Sequence, residues 1–109
     1  MGAGKGGNFG NTQGSGKKIS NAIVNSKRIG AATKTDSHHA FNDIIDNYAG
    51  VAKTFSLKGG DDKIRTLYQI QGSLNGKKGV FEWIHESTKG VTHRRFIPNG
   101  KITGKPNSR

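Results

Sequence analysis

The sequence has no cysteine, only two prolines, a single tryptophan, and no apolar run approaching the ~18 residues that a membrane-spanning helix needs. The lack of cysteine excludes a disulfide framework, a cysteine-based metal site and a thiol nucleophile, and leaves the redox compartment unspecified. No apolar segment follows Met1, so neither a membrane span nor an ordinary signal peptide is expected, and the chain is expected to be soluble. Acidic residues are also scarce: 7 Asp and Glu face 18 Lys and Arg in 109 residues, a formal net charge of +11. Only 30% of the residues are hydrophobic and 17 are glycine, too few apolar groups for the whole chain to offset its ordering entropy. One compact unit with a tail is the expected organisation.

The charge is unevenly spread. Residues 1–37 carry six basic groups and one acid, a net +5, whereas residues 38–73 balance four against four. Residues 74–109 carry eight basic groups against Glu82 and Glu86, a net +6. Basic ends on a neutral middle fit a surface facing phosphates, or an acidic protein partner, better than solubility alone.

The opening MGAGKGGNFGNTQGSGKK has the composition of a flexible linker, and residues 1–35 read as a Gly-rich basic tether. Its Gly2, Gly4 and Gly7 match G-x-G-x-x-G formally, but no strand precedes them, and Lys18 stands where a phosphate-binding loop needs Ser or Thr. Within the tether, Ile19, Ala22 and Ile23 have helical spacing, which leaves open a short basic helix over 18–29 or no ordered structure.

From Asp36 the pattern strengthens. Phe41, Ile44, Ile45 and Tyr48 recur at i, i+3, i+4 and i+7, with Asp36 or Ser37 available as cap, Asp43, Asp46 and Asn47 on the other side, and Gly50 as the stop. The spacing predicts an amphipathic helix from Asp36 to Gly50. The period then changes to two, predicting strands at 51–57, 63–73, 79–86 and 91–97, with turns at Gly59–Asp62, Asn75-Gly76 and Lys89-Gly90 and a stop at Pro98-Asn99-Gly100. Residues 101–104 read as a short final strand. The expected fold is α+β, with one or two N-terminal helices on a four- to five-stranded antiparallel sheet whose second face stays open.

Candidate chemistry rests on few residues. His38 and His39 fall in the first turn of the predicted helix, where the dipole favours the neutral, proton-accepting imidazole; His39, nearer the polar side, is the candidate, against an ordinary helix start. His93 and Arg95 share one strand face and Thr92 and Arg94 the other, so neither face is cleanly apolar; an arginine turned toward a core needs a carboxylate or an anionic ligand. The alternative is a solvated edge strand. Glu82, between Phe81 and Trp83, is a structural counter-ion or a general base. Trp83 fills the core or stacks a base, and His85 and Glu86 read as solvated. No dense His or carboxylate cluster suits a metal, and Asp43, Asp46, Asp61 and Asp62 read as helix surface and turn. Histidines, a glutamate and arginines without a metal motif suit RNA cleavage, in which the 2′-OH supplies the nucleophile.

The blocks SHHAFNDIIDNYAG, LYQIQGSLNGKKGVFEWI and GVTHRRFIPNGKITGKPN, in that order, resemble the C-terminal toxin domains of bacterial polymorphic toxins of the contact-dependent growth inhibition, Rhs and LXG kinds. The resemblance spans about residues 36–107. It implies a microbial-RNase-like domain over 36–109, similar to the barnase, EndoU, colicin and RelE-like ribonucleases, that cuts RNA, often tRNA, in the target-cell cytoplasm. Residues 1–35 would then join it to a larger secreted or surface-delivered protein, and a cognate acidic immunity protein would neutralise it; no small-molecule cofactor is implied. On this resemblance His93 and His39 form the proton-transfer pair, with base and acid unassigned, and Glu82 is an alternative base. Arg94 or Arg95 stabilises the phosphorane, and Arg95, Trp83, Lys77, Lys78 and Thr92 contact RNA. A metal-dependent DNase toxin and a non-catalytic RNA-binding module are the alternatives.

Overall fold

The computed structural model describes residues 19–58 and 63–106, in which four antiparallel strands form one sheet of order β1-β2-β3-β4. β1 spans Lys53–Lys58, β2 Ile64–Leu74, β3 Lys77–Glu86 and β4 Gly90–Pro98. The α+β class and the four-strand meander are as expected. Asn75 and Gly76 take φ of 51° and 81°, the left-handed pair that a type I′ hairpin requires. Residues 101–104 form no fifth strand; the segment crosses the sheet instead. The glycine-rich lead, with its glycine motif, Lys17 and Lys18, and the Gly59–Asp62 turn lie outside the described residues.

The helix departs from expectation at its start. Residues 36–39 make a separate turn, Phe41 and Asn42 are irregular, and a 3₁₀ helix occupies Asp43–Val51, capped by Asn42, whose side-chain oxygen accepts from Ile44 N at 2.9 Å. Gly50 therefore lies inside the helix. The cause is a distant residue: the Arg94 guanidinium donates to the carbonyl oxygens of His39 (2.7 Å) and Phe41 (2.9 Å), and helical pairing would compete for both. The 3₁₀ winding also overturns the assignment of Asp46 to a solvent face, because it rotates each residue about 120° rather than 100°.

Residues 19–35, expected as tether, are packed. Of the helix expected over 18–29 the described residues 19–29 form none; a turn at 22–25, in which Asn21 Oδ1 accepts from Val24 N at 2.9 Å, drives Ile23 into the core. Residues 27–29 then run beside β4, with Val91 N donating to Lys27 O and Ile29 N to Val91 O. Backbone pairing here shields part of an edge strand.

The core lies between these N-terminal segments and one sheet face, joining Ile23, Ala32, Phe41, Ala49, Phe81, Trp83, Val91 and Phe96. Phe81 lies tilted against Phe96, with ring centroids 4.7 Å apart, and meets Phe41 edge-on at 5.0 Å. A bulge resolves the mixed pattern of β4. Strict alternation would place Val91, His93 and Arg95 together, yet Val91 is in the core while His93 and Arg95 face away. The register runs Ile84 with His93 and then His85 with Val91, so Thr92 is the extra residue that turns the strand over.

Candidate active site

The sheet carries two buried polar clusters, one on each face. On the core face Arg94 is fully buried, its Nε donating to Asp46 Oδ1 at 3.0 Å and its guanidinium carbon 3.7 Å from the Phe41 ring centroid. Asp46 also accepts from Trp83 Nε1 at 2.9 Å and from Arg28 Nη2 at 2.7 Å. Burial pushes the Arg94 guanidinium below its ordinary value while Asp46 opposes the shift. Desolvation likewise pulls Arg28 down, but Asp43 and Asp46 outweigh it and hold Arg28 above its ordinary value. Arg94 and Trp83 thus use their polar atoms within the core, which corrects both assignments: Arg94 is not placed to meet a phosphorane, nor Trp83 to stack a base.

The opposite face is different in kind. β2, β3 and β4 place Gln69, Glu82 and Arg95 in one cross-strand row, and His93 sits diagonally from Glu82. His93 Nε2 lies 2.7 Å from Glu82 Oε2, and Gln69 Nε2 donates to Glu82 Oε1 at 2.9 Å. Glu82 is 0% and His93 5% exposed. A carboxylate on a central strand without such partners would be very costly to bury. Gln69 completes its hydrogen bonding through the C-terminal segment: its Oε1 accepts from Thr103 N and Gly104 N, both at 3.0 Å, and its Nε2 donates to Lys105 O at 3.1 Å. Gly104 has φ of 78°, and a Cβ there would lie 3.2 Å from the Phe55 ring, so glycine lets the backbone rest on the sheet. Residues 101–106 thus form a strap on this face of the sheet, resting on Gln69, the cross-strand partner of Glu82, and on Phe55, and the strap carries the exposed Lys101 and Lys105.

The predicted pair of histidines is not brought together. His39 lies beside Arg94, and its Nδ1 is 2.7 Å from Asp36 Oδ2, while Nε2 is buried with no hydrogen-bond partner among the described residues. The His39 hydrogen bond, working against some desolvation, holds the Asp36 carboxyl below its ordinary value. His39 precedes the helix by a turn and an irregular stretch, so it lies outside the first helical turn, where the dipole acts. Lys77 and Lys78 are exposed at the β2–β3 hairpin, and Thr92 is the half-buried bulge residue. His85, expected in solvent, is half-buried with Nε2 2.8 Å from Ser26 Oγ, and Glu86 is buried beside Arg65 at 2.9 Å. Gln69 went unnoticed in the sequence; its only signal is an amide between Tyr68 and Ile70 in a strand otherwise apolar at that point.

Comparison with protein-family models, with curated proteins and with solved structures finds no match to this chain. The geometry therefore stands by itself. Among the described residues no group of three His, Asp or Glu side chains is arranged to hold a metal ion, and no helix is long and apolar enough to cross a membrane. What the face offers is a carboxylate in contact with an imidazole, next to an arginine, at the meeting point of three strands.

Proposed function

We propose that the domain is an endoribonuclease that cuts RNA, with tRNA the foremost candidate, by transesterification without a metal. The observation that carries this reading is the 2.7 Å contact between Glu82 and His93, with Arg95 directly across from Glu82. Glu82 orients the imidazole and stabilises its protonated form, leaving Nδ1 for the substrate. His93 takes the 2′-OH proton as the 2′-oxygen bonds to phosphorus. The P–O5′ bond then breaks, and the same proton passes to the 5′-oxygen, giving a 2′,3′-cyclic phosphate and a 5′-hydroxyl. Arg95 stabilises the charge gathering on the phosphoryl oxygens. Because Glu82 is wholly covered, RNA enters by displacing the strap, whose Lys101 and Lys105 are then free to contact phosphates.

On the resemblance to polymorphic toxin domains, the activity serves as an antibacterial toxin, delivered as part of a larger secreted or surface protein. An immunity protein with carboxylates facing this basic surface would neutralise it, binding fast and tightly. Incubation of the domain with tRNA in EDTA tests the reaction: fragments ending in cyclic phosphate are expected, and His93→Ala should slow their formation by about 10²–10⁴-fold while the fold persists. Intact RNA with EDTA and with added metal would sink the proposal. Plasmid degradation that requires a divalent cation would identify a DNase instead. The complete burial of Glu82 favours one second reading, a non-catalytic RNA-binding module. In that case His93→Ala leaves growth inhibition unchanged.

A further inference from the structure

At the hairpin end of the sheet, Gln71, Gly72, Ser73, Lys78, Gly79, Asn99 and Gly100 line an open groove of about 360 Å³. We infer that this groove seats the nucleotide next to the scissile phosphate, an inference that rests on the ribonuclease reading. Gln71 and Ser73 lie in phase with Gln69 on β2, and Lys78 lies in phase with Glu82 on β3, so their side chains stand on the face of the Glu82–His93 pair. Gln71 is about 7 Å along the strand from Gln69, within reach of the adjoining nucleotide of one RNA chain.

The lining has the chemistry of a nucleotide site. Gln71 and Asn99 each present an amide donor and acceptor, the combination that pairs with a base edge, and Ser73 adds a hydroxyl. Lys78 is exposed and takes part in no ion pair among the described residues, and no carboxylate lines the groove to compete with phosphate. Gly72 and Gly79 face each other across β2 and β3 out of phase with Gln71, Ser73 and Lys78, so the groove meets only their backbone. An added Cβ at Gly79 would collide with the Ile97 carbonyl. The groove also ends where the strap begins, at Asn99-Gly100, so a strap lifting from Gly100 would join groove and catalytic pair into one channel.

The test uses the whole 109-residue chain, titrated with each of the four 3′-mononucleotides and separately with inorganic phosphate while amide resonances are followed by NMR. Saturable shifts at Gly72, Gly79, Gly100 and the side-chain amides of Gln71 and Asn99, differing among the bases, are expected. Lys78→Gln should weaken binding by about tenfold, the loss of one charge-assisted hydrogen bond. Shifts confined to other surfaces, or reproduced in full by inorganic phosphate, overturn the inference. RNA cleavage without shifts in the groove overturns it too and leaves the ribonuclease standing. Groove binding in a chain that cuts no RNA keeps the groove as a nucleotide site and removes the ribonuclease.

Discussion

Arg94 and Arg95 are adjacent in the chain, yet the sheet sends them to faces that treat charge in opposite ways. Arg94 enters the aromatic core, where Asp46 and the carbonyls of His39 and Phe41 take up its donors. Asp46 is itself fixed by further contacts, accepting from Trp83 and Arg28. That cluster ties the N-terminal segments to the sheet. Arg95 lies half-buried opposite Glu82, whose neighbour Gln69 is held by the short strap of residues 101–106. A buried charge enclosed by backbone carbonyls and helix reads as architecture, whereas one under a removable cover is available for chemistry.

The two arginines separate the roles most sharply. Arg94→Ala leaves Asp46 buried with half its compensation and should cost about 3–5 kcal/mol in urea unfolding. Arg95→Ala should destabilise less than Arg94→Ala while lowering the rate of RNA cleavage by about 100-fold or more. Equal stability losses would erase the distinction between the faces. Gln69→Leu tests the strap, because it removes the acceptor of two backbone amides and one partner of Glu82. A loss of about 1–3 kcal/mol is expected, together with faster proteolysis of residues 101–106. Unchanged proteolysis would show that the strap is held by something other than Gln69. The smallest effect belongs to Asp36. Its folded carboxyl lies below the ordinary value, so its contribution is present above the unfolded pKa of about 3.9 and is lost as pH falls through the folded value. The stability gap between the native chain and Asp36→Asn should close on acidification below about pH 4; a gap that widened there would refute the assignment.

What could be read in the sequence divides by distance along the chain. The Asn75-Gly76 hairpin and the strands around it depend on neighbours, and two-residue periodicity also placed His93 and Arg95 on one face. The helix start was misread because Arg94, more than fifty residues away from the carbonyls of His39 and Phe41, recruits them out of helical pairing. Asp46 was misassigned for the same reason, its ligands being Arg28, Trp83 and Arg94. His39 lost its expected partnership once the helix that was to present it began at Asp43. Gln69 meets Thr103 and Gly104 across 34 and 35 residues, and no local pattern announces a strap built from a glycine with positive φ.

That strap supplies its own clock. The amide protons of Thr103 and Gly104 are held by Gln69 Oε1 and exchange with solvent only when the segment lifts; at alkaline pH, where intrinsic exchange outpaces reclosing, their exchange rates count openings one event at a time. If RNA enters by the same opening, turnover can be no faster than those openings. In that regime, slow exchange at these two amides would set the ceiling on how quickly a single molecule cuts.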